Sequence, residues 1–67
     1  MTSEINSYLN TAEAARYLRL SPRTLENMRL TGEGPVYRKH GRLVVYHLTD
    51  LIAWSESRKQ ESTSDVF

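Results

Sequence analysis

Two helix signals separated by a three-residue break constrain this chain more than anything else in it. The first signal opens at Asn10 and runs through Thr11-Ala12-Glu13-Ala14-Ala15-Arg16-Tyr17-Leu18. Arg19-Leu20-Ser21 interrupts it, and Pro22-Arg23-Thr24-Leu25 begins the second. Asn10 is a good N-cap, with Glu13 three residues on as a capping-box partner. Ser21 can accept a hydrogen bond from the early N–H groups of the second helix, and proline at the first helical position forfeits no bond the helix needs. Ala12, Ala15 and Leu18 recur at helical spacing and are expected to face the core, where small alanines let two helices approach closely. The second helix should reach about Leu30, with Leu25 and Met28 inward and Arg23, Thr24, Glu26, Asn27 and Thr31 outward. Gly32-Glu33-Gly34-Pro35 stops it and turns the chain.

Beyond that turn the pattern changes to β. Val36-Tyr37-Arg38-Lys39 and Leu43-Val44-Val45-Tyr46-His47 are rich in β-branched and aromatic residues, which suit a pleated, half-buried surface. His40-Gly41-Arg42 between them supplies a glycine for positive φ, so the pair reads as a hairpin. Thr49 is expected to cap a third helix, with Asp50 favourable at its positive end and Leu51, Ile52 and Trp54 as its apolar surface. Tyr8-Leu9 fits a short strand or a lead-in. The expected fold is α+β, mainly α: a small winged helix-turn-helix domain over residues 8–59 with a two-stranded β-hairpin wing. Residues 1–7 and 60–67 read as flexible polar termini.

Composition narrows the function classes. Sixty-seven residues make one domain at most, with a core worth a few kcal/mol and little room for an enclosed pocket. There is no cysteine, hence no disulfide framework or thiolate metal site. His40 and His47 have no second local ligand, so no metal is expected. No Ser/His/Asp spacing can be assigned, and Gly32 and Gly34 are helix-stop and turn residues rather than a phosphate loop. No enzyme activity, catalytic residue or cofactor is expected. No apolar run approaches the roughly 18 residues of a membrane span, and Met1-Thr2-Ser3-Glu4 lacks signal-peptide character; a cytoplasmic protein with no membrane partner is expected.

The net charge of +1 hides an asymmetry. All nine Lys and Arg lie between Arg16 and Lys59, whereas five of the eight acids lie within residues 8–59. That stretch therefore carries +4 and the ends −3. A basic body suits a polyanion. The outward second helix suits the DNA major groove, about 12 Å wide, which admits one α-helix.

Several segments, taken in order, resemble one family. They are Tyr8-Leu9-Asn10-Thr11-x-Glu13-Ala14-Ala15-x-x-Leu18, Leu20-Ser21-Pro22-Arg23-Thr24-Leu25-Glu26, Thr31-Gly32-Glu33-Gly34-Pro35 and Gly41-Arg42-x-Val44-x-Tyr46-x-Leu48-Thr49-Asp50-Leu51-x-Ala53-Trp54. Together they resemble the small winged helix-turn-helix excisionases, the AlpA-like recombination directionality factors of phages and integrative elements. The resemblance covers about 50 of the 67 residues. The family is similar to the DNA-binding domain of MerR-type regulators, without their long coiled-coil helix and effector domain. It implies a double-stranded DNA partner, a tyrosine recombinase (integrase) steered toward excision, and action on the bacterial nucleoid. Some relatives act as transcription regulators. A protein-interaction adaptor is a distinct alternative.

The candidate DNA-binding residues fall in two groups. Ser21, Arg23, Thr24 and Asn27 belong to the start of the second helix, whose N-terminal residues reach base edges in helix-turn-helix proteins. Arg23 fits a guanine edge or a phosphate, and Thr24 fits the cap or a phosphate. Asn27 fits the N6/N7 edge of adenine. Glu26 is expected to be solvated or paired with Arg29. Arg38, Lys39, His40, Gly41 and Arg42 bracket the wing, with Arg42 suited to a narrow minor groove and Lys39 to phosphate. If Val44 and Tyr46 face the core, strand alternation turns Leu43 and Val45 outward. These two, with Val66 and Phe67, are candidate self-association contacts; ordinary surface is the other reading.

Overall fold

A computed structural model describes residues 7–60. The segments 1–6 and 61–67 lie outside the described residues, and with them the expectations for flexible ends and for Val66 and Phe67. The elements in chain order are β1 (Tyr8–Leu9), α1 (Thr11–Leu18), α2 (Pro22–Thr31), β2 (Arg38–His40), β3 (Leu43–His47) and α3 (Leu48–Ser57).

The helix ends form as the local residues dictate. Asn10 Oδ1 accepts the Glu13 N–H at 2.8 Å, and Glu13 Oε1 accepts the Asn10 N–H at 2.9 Å. This reciprocal pair satisfies two donors that the first turn of α1 would otherwise leave orphaned. Arg19 ends α1 in the left-handed region, φ 63°. Its N–H reaches Arg16 O at 3.1 Å while the Leu20 N–H reaches Ala15 O at 2.8 Å, a Schellman closure that reverses the chain within three residues. Gly32, φ 80°, ends α2 in the same region, and the Glu33 N–H returns to Met28 O at 3.1 Å.

The sheet has three strands rather than the two expected from the hairpin alone. β1 joins the far edge of β3, giving the antiparallel order β1-β3-β2 with Tyr8 opposite His47 and Arg38 opposite Val45. β2 begins only at Arg38, so Val36 and Tyr37 belong to the connection from α2 despite their β-forming composition. The turn is the two residues Gly41-Arg42, with Gly41 at φ 68°. Positive φ at the first central position matches the right-handed twist of the strands.

The core comprises Ala14, Ala15, Leu25, Tyr46 and Leu51, each 0% exposed. Leu9, Leu18, Leu20, Met28 and Val44 pack around them. Ala12 is exposed, contrary to the expected stripe, and Ala14 takes its place. Steps of three residues fall short of a helical turn, so 12-15-18 drifts around α1. The buried row follows 14-15-18, the i, i+1, i+4 set that shares one face. Ile52, assigned to the apolar face of α3, is also exposed, at 43%.

The cap of α3 is His47, not Thr49. His47 Nδ1 accepts the Thr49 N–H at 3.2 Å and lies 2.7 Å from Thr49 Oγ1. β3 continues in register to His47, opposite Tyr8, so helix follows strand without a linker. The last strand residue must therefore supply the capping acceptor, and Thr49 already lies inside the first turn.

Candidate nucleic-acid interface

The first part of the candidate interface is the exposed face of α2. Ser21 Oγ accepts the Thr24 N–H at 3.1 Å, and the two hydroxyls lie 2.8 Å apart. Both hydroxyls thus help to hold the helix start, and one O–H donor of the two remains over. Arg23 and Asn27, one turn apart, are exposed, and neither has a side-chain partner among the described residues. Spacing of i, i+4 puts a guanidinium fork and a carboxamide side by side. Glu26 is exposed on the same helix.

Arg29 behaves differently. Its Nη1 donates to Tyr46 Oη at 2.9 Å and to Thr11 Oγ1 at 3.1 Å. Its guanidinium sits 5.6 Å from the Tyr37 ring centroid. Of the two expectations for Glu26 the structure has the solvated one, because the inward side of α2 offers Arg29 the phenol oxygen of Tyr46 instead. One of the nine basic residues therefore ties α2 to α1 and β3. No local signal in the sequence marks this role.

The second part is the wing. Direct cross-strand partners share a face, so Tyr8, Arg38, His40, Leu43, Val45 and His47 lie on one side of the sheet, and Leu9, Lys39, Val44 and Tyr46 on the core side. Arg38 is engaged with protein: Nη1 donates to Tyr8 Oη at 3.0 Å, Nη2 approaches Asp50 Oδ2 at 3.5 Å, and the guanidinium lies 5.5 Å from the Tyr8 ring centroid. The Asp50 pair is solvent-accessible and worth about 0–1 kcal/mol. The His40 and His47 rings meet the Tyr8 ring edge-on at 5.3 and 5.0 Å.

This aromatic layer overturns the outward reading of Val45, which is only 6% exposed. The sheet has a third strand, so the face opposite the core carries its own cover, and Val45 lies on it in the central strand. Val45 is not available to a neighbouring molecule, whereas Leu43, near the turn, is 56% exposed. Lys39 and Arg42 are exposed around the glycine turn, with no side-chain partner among the described residues.

A third cluster fixes the connection between the two parts. Glu33 O accepts the Trp54 Nε1–H at 3.0 Å and an Arg58 Nη2 hydrogen bond at 2.9 Å. The Arg58 guanidinium stacks 4.9 Å from the Trp54 ring centroid. α3 thereby clamps the turn that leads from α2 toward the wing. Trp54, expected as core, is half-buried and serves as this clamp. Gly34 is needed in the same turn, because a Cβ there would lie 2.8 Å from Met28 Cβ.

No group of three or more His, Cys, Asp or Glu side chains that could hold a metal ion occurs among the described residues. None of their helices is long and apolar enough to cross a membrane. No curated protein matches the chain in sequence. The family model described as a helix-turn-helix domain matches residues 8–59, a span that holds both helices, the wing and the clamp. With a capped outward helix, a three-residue turn and a basic wing in that span, the chain belongs to this helix-turn-helix domain family, a family of DNA-binding domains.

Proposed function

We propose that this protein is an excisionase: it binds repeated short sites in an attachment region, bends the DNA there, and directs a tyrosine recombinase toward excision in the bacterial cytoplasm. The observation that carries the reading is the pair of basic projections with uncommitted ends. Arg23 and Asn27 on α2 suit base edges in the major groove, and Lys39 and Arg42 at the wing suit phosphate and a narrow minor groove. Ser21 and Thr24 set the helix start, and Gly41 shapes the wing turn. Arg38 and His40 brace the wing from its outer face through Tyr8, and Arg38 adds positive charge there. The choice of excision over other DNA transactions rests on the resemblance of the ordered segments from Tyr8 to Trp54.

Copy number follows from size. A single module of this kind buries roughly 600–1,000 Å² of protein surface on DNA, so one copy binds one site weakly. Several copies on adjacent sites gain from contacts at high effective concentration. Leu43, an exposed apolar residue of the wing, suits such a contact. A head-to-tail arrangement need not close, so it continues along the duplex and imposes curvature.

Deleting the gene and measuring both element excision and neighbouring transcripts tests the reading. Lost excision with steady transcripts is expected; altered transcripts with normal excision would make the protein a transcription regulator. Gel shifts at rising salt separate both from an adaptor that binds protein only. Titrating one-site and multi-site fragments tests assembly, and equal per-site affinity on the two would remove the cooperative model.

A further inference from the structure

Leu30 is 85% exposed, the most exposed large apolar residue described. A leucine in water is by itself unremarkable. Its position is not: Arg23, Asn27 and Leu30 stand at i, i+4 and i+7, so they share one face of α2. The core-facing side of the helix carries Leu25 and Met28, and Arg29, which reaches Tyr46 of the sheet. Leu30 therefore extends the row of the two uncommitted polar side chains by one turn. α2 has ten residues, about 15 Å of helix, so a helix lying along the groove presents this residue together with its first turn.

The major groove displays donors and acceptors at every base pair, but its apolar group is the C5-methyl of thymine. We propose that Leu30 reads a thymine methyl, adding an apolar contact to the polar readout by Arg23 and Asn27. This rests on the DNA-binding reading above and deepens it to a base identity. Asn27 and Leu30 are separated by about 4.5 Å along the helix axis, and base pairs rise about 3.4 Å. The thymine therefore falls within one or two base pairs of the base that Asn27 reaches.

The test starts from a duplex enriched from a randomised pool by the wild-type chain. It is synthesised with thymine, or with deoxyuridine at one thymine at a time, which removes the methyl and leaves Watson–Crick pairing intact. Wild-type protein is expected to bind about fourfold more weakly at one substituted position, the effect of one buried methyl-sized group. Leu30→Ala should bind the two duplexes alike, with unchanged thermal melting because the side chain is exposed. Equal wild-type affinity for all duplexes overturns the proposal while leaving DNA binding intact, as does a thymine preference that survives in Leu30→Ala. Loss of cooperativity on multi-site DNA with that preference retained would reassign Leu30 to a protein contact and also overturn it. Failure to enrich any sequence would overturn base-specific DNA reading itself, and this proposal with it.

Discussion

Replacing Arg29 by methionine separates a structural arginine from a DNA-contacting one. Methionine keeps the aliphatic stem and removes the guanidinium. The structure assigns Arg29 Nη1 two acceptors, Tyr46 Oη at 2.9 Å and Thr11 Oγ1 at 3.1 Å. Tyr46 is 0% exposed, so its phenol oxygen loses its charged donor in the interior. A hydrogen bond to a charged group contributes about 1.5–3 kcal/mol, and a buried polar atom left unpaired costs about 1–3 kcal/mol. Because these overlap for one oxygen, the expected loss is about 2–3 kcal/mol. In a domain of this size each kcal/mol lowers Tm by about 4–8 °C. Tyr46→Phe should cost less, about 1 kcal/mol, since Arg29 keeps Thr11. The double variant should show a coupling of about 1 kcal/mol, within the range for residues in direct contact. Thermal or urea unfolding of the four proteins measures this cycle. A DNA titration across salt, on variant that is still folded, should show an unchanged slope. A loss below about 0.5 kcal/mol with no coupling, or a slope shallower by about one, would refute the internal role.

Four further outcomes follow from the same geometry. Gly34→Ala should cost about 1–3 kcal/mol in unfolding experiments, because its Cβ would meet Met28 Cβ at 2.8 Å and overpacking must be relieved by backbone shift. Arg19→Gly should raise stability by about 0.5–1 kcal/mol, since glycine adopts φ 63° without the Cβ penalty. His47→Ala should cost about 0.5–2 kcal/mol through the lost cap of α3, and His47→Asn should recover part of it. In binding assays, Asn27→Ala should cost about 1–3 kcal/mol at a specific site and little on random DNA, while Lys39→Ala should weaken all sequences alike and reduce the salt slope by about one.

The parts of the fold that were legible in the sequence are those whose partners lie a few residues away. Asn10 and Glu13 close a box across three positions, Ser21 reaches Thr24, and Gly32 supplies the left-handed residue that ends α2. Such contacts depend on local backbone geometry, so residue type and spacing carry them. The outward placement of Arg23 and Asn27 follows from helical period once Leu25 is known to be inside. The same period could not place Leu30, because leucine type argues for burial and only packing shows that no described residue covers it.

Sequence by itself thus determined the helix–turn–helix, the glycine turn of the wing and the basic character of residues 8–59. Tertiary structure alone decided which charges are free. Arg29 and Tyr46 are 17 residues apart, and Trp54 and Glu33 are 21 apart; no periodicity links such pairs. It also decided the fate of Val45: alternation correctly turned it away from Tyr46, but β1 returned from the start of the chain to place Tyr8 on that side, and Arg38 lay across from it. The strand running unbroken to His47 moved the cap of α3 two residues upstream of Thr49. For Arg29, Trp54 and Val45 a group from a distant segment supplied the hydrogen bond or the burial; for the cap of α3, the pairing of β3 with the distant β1 set where the helix begins.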